Sequence, residues 1–299
     1  MNIELVQIFV KVVQTGGFSR AAAVLKLPKS TVSKAVSRLE NESGTKLLLR
    51  TTRSQTLTAA GRAFYDSCLG PVQAIEDAQK SLSGSDSLLS GTLKVTAPED
   101  LGTELLSPAV GRLIGQHPGL NFELVYSDER MDLVRDGYDL AIRIGPLGAS
   151  GLRSKKIGDV KLVLVASSEY LAARPRIQRP EDLSSHACLT FNGGVGKHFW
   201  QLQSKAATAK VPITARVTSN QMTALLKAAI GGAGVAVVPA FLACSAAQAG
   251  KIVRVLPQWA TPGVAVSLLS PLPFSSSARL RMVSDYFAAE LQKGLAKDP

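Results

Sequence analysis

Leu5, Ile8, Phe9, Val12 and Val13 recur at i, i+3, i+4, i+7 and i+8, so the chain opens on a helix with one apolar face. Gly16 and Gly17 end that pattern, and Ser19 suits the N-cap of the next helix. Residues 20–25 are short and alanine-rich, and Ala21, Ala22 and Ala23 allow two helices to approach closely. Lys26 and Leu27 make a turn. A third helix is predicted from about Pro28 to Glu42, with Pro28 at a first helical position that needs no amide donor. Its buried stripe is Val32, Ala35, Val36 and Leu39. The opposite side carries Lys29, Ser30, Ser33, Lys34, Ser37 and Arg38 and no carboxylate; Glu40 and Glu42 come only past its end. Two β-prone runs, 46–50 and 56–58, then flank the polar stretch 51–55. Two helices around a tight turn, followed by a basic hairpin, make an all-α winged helix-turn-helix. That shape sets one helix in the DNA major groove and the hairpin on the phosphates.

Residues 59–82 read as a further helix, with Phe64, Cys68, Val72, Ile75 and Leu82 on a roughly heptad seam suited to pairing with a second copy. Packing against the chain's own core is the alternative. Gly70-Pro71 interrupts the seam and predicts a kink. The Gly/Ser-rich stretch 81–91 reads as a hinge. Beyond it strands and helices alternate. Strands are expected at 92–96, 121–126, 140–144, 161–166, 189–191, 213–217, 234–238 and 264–269. Helices are expected at 102–116, 131–136, 168–173, 219–230 and about 276–293. Such alternation predicts an α/β region with a mostly parallel sheet covered by helices. Residues 228–250 carry no charge and are long enough to span a bilayer, but four glycines and a proline favour a helix followed by a buried strand.

Charge sharpens the reading of the first 62 residues. Residues 20–62 hold nine Lys/Arg and two acids, a balance of +7, whereas all 299 residues carry +11. Most of the excess lies in a seventh of the length, as an electrostatic footprint on DNA does. Three cysteines (68, 188, 244) with no C-x-x-C spacing fit a reducing cytoplasm, and neither a disulfide framework nor a metal site is expected. Glu4 within an amphipathic start is unlike a signal peptide. The histidines (117, 186, 198) are scattered, and no nucleophile–base pair or G-x-S-x-G turn emerges, so no catalytic residue and no cofactor is expected. Gly231-Gly232-Ala233-Gly234 lies between a helix and a strand, the reverse of a dinucleotide fingerprint. A solute-binding protein would leave the basic first third unexplained. An enzyme with an accessory DNA-binding domain is separated by whether residues 92–299 turn over any substrate.

The segments Phe18-Ser19-Arg20-Ala21-Ala22, Ser30–Glu40, Gly44, the Leu-Leu-Leu-Arg run ending at Arg50, and Leu57-Thr58-Ala59-Ala60-Gly61 together resemble the LysR-type transcriptional regulators. Asp139–Arg143 and Gly231–Pro239 extend the likeness over nearly the whole chain. The resemblance implies a winged helix-turn-helix at 1–58, a linker and dimerisation helix with hinge at 59–91, and an effector-binding region at 92–299. That region would form two Rossmann-like subdomains like a periplasmic binding protein, one of about 92–162 and 268–299, the other about 163–267. The chain would cross between them near 160–166 and 264–269. It also implies dimers paired into tetramers on promoter DNA, with a small-molecule effector moving the subdomains. Expected DNA contacts are Ser19, Arg20, Lys29, Ser30, Thr31, Ser33, Lys34, Ser37, Arg38, Arg50, Thr51, Thr52 and Arg53.

Ligands of open α/β sheets sit beyond the carboxyl ends of strands. Here that rule points to Pro98, Glu99, Asp100, Leu101, Ser127, Arg143, Ile144, Phe191, Asn192, Ser219 and Asn220, which also match the family's effector cleft. Plain structural alternatives exist: Asp100 as cap of helix 102–116, Asn220 as cap of the helix after it, and Arg143 as an ion-pair partner. Four positions depart from the family. Pro28 and Lys29 stand where Ser/Thr and Gln are usual, which moves the expected contact from adenine toward guanine or phosphate. Leu48-Leu49 replaces the usual Leu-Phe. Asp100 replaces a Ser or Thr that in many relatives, with a helix N-terminus, holds an effector carboxylate, so the effector is expected to be neutral or cationic there, or to bind elsewhere.

Overall fold

A computed structural model describes residues 2–50, 55–81, 89–129, 131–148, 151–192 and 194–299. Three helices, α1 (Ile3–Gln14), α2 (Phe18–Leu25) and α3 (Lys29–Ser43), pack around Phe9, Phe18, Ala21, Val32, Val36 and Leu39. The Asn2 side chain caps α1 by accepting the Glu4 amide at 2.9 Å. Ser19 does not cap α2: Gly17 holds that position, and the helix begins one residue before the hydroxyl. Lys26 turns the chain in the left-handed region, at φ 54°. Pro28 sits at the N-cap of α3 rather than inside it. β1 (Leu48–Arg50) and β2 (Gln55–Leu57) form the antiparallel wing, with Leu48 opposite Leu57 and Arg50 opposite Gln55.

The next helix, α4 (Ala59–Ser81), continues through Gly70-Pro71. The first half of its expected pairing seam faces the chain's own N-terminal core. Phe64 lies 5.8 Å from Phe9 between ring centroids, Cys68 packs on the same cluster, and Val72 is buried in it. Heptad spacing specifies an apolar face but not whose surface covers it. Leu82 lies outside the described residues.

Beyond the hinge, β3 (Gly91–Ala97), β4 (Leu120–Tyr126), β5 (Leu140–Ile144), β6 (Arg153–Val160) and β13 (Val264–Ser270) form a five-stranded sheet in the order β4-β3-β5-β13-β6. The other strands are β7 (Leu162–Ala166), β8 (Ala187–Phe191), β9 (Gly196–Gln203), β10 (Thr208–Ser219), β11 (Val235–Pro239) and β12 (Val253–Ala260). They close into a ring in the order β10-β8-β11-β7-β12-β9. The chain passes from the sheet to the ring between β6 and β7 and returns between β12 and β13.

The expectation of a mostly parallel sheet is corrected. β3 runs parallel to β4 and β5, and β8 to β10 and β11, but β13 opposes β5 and β6, and β7 opposes β11 and β12. The two crossings feed strands back antiparallel, and β9–β10 is a hairpin. The helices are α5 (Glu99–Leu101), α6 (Ser107–Gln116), α7 (Ser168–Ala172), α8 (Met222–Ile230), α9 (Ala240–Gln248) and α10 (Ala278–Leu295). A π turn over Gly102–Leu106 joins α5 to α6, so the helix expected from Gly102 starts at Glu99. The helix expected at 131–136 is a series of turns instead. The Asp132 carboxylate accepts the Val134 and Arg135 amides at 3.2 and 3.0 Å, a side-chain alternative to helical bonding. Among the described residues no helix is long and apolar enough to cross a membrane.

Candidate nucleic-acid interface and effector cleft

Val32, Val36 and Leu39 are fully buried, and this fixes the rotation of α3. Lys29, Ser30, Thr31, Lys34 and Arg38 are consequently exposed, with Ser33 and Ser37 half-buried along the same side. Ser19 and Arg20 are exposed at the start of α2. Arg38 is paired with Glu42 at 2.8 Å, but its side chain is 67% exposed, so the pair is a weak surface one. Arg50 lies at the end of β1. Thr51, Thr52 and Arg53 lie outside the described residues.

Two supports of this face were not foreseen. Glu40, which comes just past the end of the cationic face, is only 3% exposed. Its carboxylate accepts the Leu47 and Leu48 amides at 2.9 and 3.1 Å and the Lys46 ammonium at 3.0 Å. Burial pushes its pKa up, but the bonds from Leu48, Lys46 and Leu47 outweigh that and hold it below its ordinary 4.5. Glu40 thereby fastens the wing to α3. Thr58 donates to the Lys46 carbonyl at 2.7 Å and accepts the Gly61 amide at 2.8 Å, starting α4 against the wing. A Cβ at Gly61 would lie 2.0 Å from the Leu47 carbonyl oxygen, so this close approach requires glycine.

Around the expected cleft, the structure brings together residues far apart in sequence. Glu99 accepts from the Gln221 side-chain amide at 2.6 Å. Asp100 accepts the Met222 and Thr223 amides at 3.2 and 3.1 Å, and the Thr223 hydroxyl as well. Asp100 therefore caps α8 of the other subdomain, not its own helix. Asn220 is not the cap either: Gln221 holds the N-cap position and makes no side-chain cap bond. Asn192, at φ 54°, donates its amide to the Ser219 carbonyl at 3.0 Å, which joins the ends of β8 and β10. The Ser219 hydroxyl accepts the Gln221 amide at 3.0 Å, and the Ser127 hydroxyl accepts the Glu129 amide at 3.1 Å.

Ile144 and Phe191 are exposed at strand ends, and Pro98 is half-buried at the N-cap of α5. Leu101 is 0% exposed within the main core, so it packs instead of facing a ligand. Arg143 makes no ion pair within bonding distance among the described contacts; Nη1 donates to the Ile142 carbonyl at 3.2 Å. Burial lowers the pKa of Arg143, while burial, then Asp100 and Glu99, raise that of Asp128. Among the described residues no group of three His, Cys, Asp or Glu could hold a metal ion. His186 is buried against the Tyr170 hydroxyl, 3.2 Å away.

Comparison with known proteins gives this geometry its context. Residues 3–62 match the bacterial regulatory helix-turn-helix protein of the lysR family, and residues 86–292 match the LysR substrate binding domain. The chain belongs to the LysR family. An uncharacterized HTH-type transcriptional regulator of Haemophilus influenzae is 33% identical over 270 residues, 90% of this chain and 94% of its own. The HTH-type transcriptional activator AaeR of Escherichia coli is 29% identical over 290 residues, 96% and 94% of the two chains. The LysR-type regulator CrgA of Neisseria meningitidis has a structure similar at TM-score 0.61 and 28% identity, covering 97% of this chain and 99% of that one. This LysR-family chain is a transcriptional regulator and not an enzyme, with a DNA-binding unit followed by an effector-binding domain. LysR-type regulators bind promoter DNA and small-molecule effectors and form oligomers.

Proposed function

We propose that α3 enters the major groove, with Lys29, Ser30, Thr31, Ser33, Lys34, Ser37 and Arg38 on bases and phosphates. Ser19 and Arg20 at the start of α2, and Arg50, Thr51, Thr52 and Arg53 of the wing, hold the backbone. The supporting observation is the exposed, cation- and hydroxyl-rich side of α3 above a fully buried apolar stripe. Phosphate contacts give affinity that falls with salt, whereas base contacts give sequence preference. Dimers paired into tetramers place several such units on one cytoplasmic promoter. An effector in the cleft between the subdomains shifts their relative position. Pro98, Glu99, Asp100, Ser127, Arg143, Ile144, Phe191, Asn192, Ser219 and Asn220 surround it.

Titration of duplex DNA from the chain's own promoter region, at several salt concentrations, tests this reading. Lys34→Ala and Arg53→Ala are each expected to weaken binding and to flatten the log–log salt dependence by about one unit of slope. Unchanged affinity and slope in both variants would refute the assignments.

A further inference from the structure

We infer that the turns at 131–138 couple the cleft to the DNA-binding unit through α4, with Val134 as the positioning residue; this rests on the cleft taking the effector. One end of the segment begins at the cleft. The Ser127 amide donates to the Ala97 carbonyl at 2.9 Å, directly before Pro98, Glu99 and Asp100, and Asp128 lies within electrostatic reach of Glu99, Asp100 and Arg143. The far end is anchored where Asp139 accepts the Lys94 amide at 2.8 Å and returns its own amide to the Lys94 carbonyl at 2.9 Å.

At 131–138 the backbone belongs to no sheet or helix, but it is braced internally. Asp132 accepts the Val134 and Arg135 amides, and the Tyr138 amide donates to the Leu133 carbonyl at 2.8 Å. Leu133 and Tyr138 are buried in a small cluster with Ala141 and Leu269. A braced segment without a ladder of its own moves as a unit more readily than a central strand does.

Val134 packs on the core of the N-terminal unit. Leu69 of α4 packs on both that core and the regulatory core. Tyr65, one turn earlier, is 2% exposed. A cavity of about 40 Å³ lies among Tyr65, Leu69, Leu133, Val134, Tyr138 and Leu272. The contact between Val134 and Leu69 is half-buried and incompletely filled, which leaves room for a second arrangement of the same side chains. Movement of the Asp128 end has a direct route into α4, and α4 starts on the wing through Thr58 and Gly61.

Hydrogen–deuterium exchange of the full-length chain tests this without any effector. Asp100→Ala disturbs the cleft by removing the cap of α8. Exchange is expected to rise about fivefold or more both at 127–138 and in α4 at 62–72. In Val134→Ala, the same Asp100→Ala change is expected to raise exchange at 127–138 only. Circular dichroism establishes folding, and Leu69→Ala cuts the same contact from the other side should Val134→Ala fail to fold. The inference is overturned if α4 never responds to Asp100→Ala, or if it responds undiminished in the Val134→Ala and Leu69→Ala backgrounds. Failure of the effector reading would appear as promoter binding that no small molecule alters, and would leave this exchange pattern unchanged.

Discussion

Glu40 carries three bonds that tie the wing to α3, and its removal leaves the Leu47 and Leu48 amides buried without that acceptor. Each unsatisfied buried amide costs about 1–3 kcal/mol. Glu40→Ala is therefore expected to lower stability by about 2 kcal/mol or more in chemical denaturation followed by circular dichroism. Glu40→Gln keeps an acceptor and loses less. Because the folded pKa lies below the ordinary 4.5, the stabilisation is full above that pH and disappears as pH falls through the lower folded value. Wild type and Glu40→Gln should accordingly converge as the pH falls through that lowered folded value; a constant gap there would contradict the assignment. The sequence hid this role because Glu40 follows the cationic face by two positions and looks like ordinary solvent decoration. Its burial depends on the wing folding back, a contact between segments that helical periodicity does not register.

At the scale of elements, local pattern worked where one face is buried and one is wet. α1, α3 and α10 follow their apolar spacing closely. It failed where the chain is apolar throughout or charged throughout. α9 follows directly on β11 in an uncharged run, so no change of period marks the boundary. β6 reads Arg-Ser-Lys-Lys-Ile-Gly-Asp-Val and is an edge strand, where charge is tolerated and alternation is weak. Of the expected cleft, the strand ends were legible, but the burial of Leu101 and the cross-subdomain role of Asp100 were not. Both depend on how distant segments meet. α3 itself makes a separate prediction through Lys29, exposed at its first turn. A lysine there favours guanine, so Lys29→Gln should reduce guanine preference at one operator position by about tenfold, within the ~1–3 kcal/mol of a good base contact. Selection of bound duplexes from a randomised operator pool measures this, and an unaltered base preference would remove Lys29 from the base-reading set.

At the scale of the whole molecule, Asp100 joins the two subdomains and at the same time occupies the N-terminus of α8. A helix N-terminus favours an anion by about 0.3–1 kcal/mol at the surface and up to ~2 kcal/mol when partly buried. One carboxylate can take the Met222 and Thr223 amides, and the chain's own side chain already does so. An effector carboxylate would have to displace it and would then face Glu99 and Asp128 as well. Asp100→Thr restores the residue type that the family resemblance associates with carboxylate capture. Benzoate is therefore expected to bind Asp100→Thr at least about tenfold more tightly than wild type, the equivalent of ~1.4 kcal/mol. Titration calorimetry on both full-length proteins measures the difference. Loss of the cap would separately cost about 0.5–2 kcal/mol, so the variant should also melt earlier without ligand and regain stability as benzoate is added. Equal benzoate affinity in the two proteins would mean that Asp100 does not guard α8, and that the bond between the subdomains is structural alone.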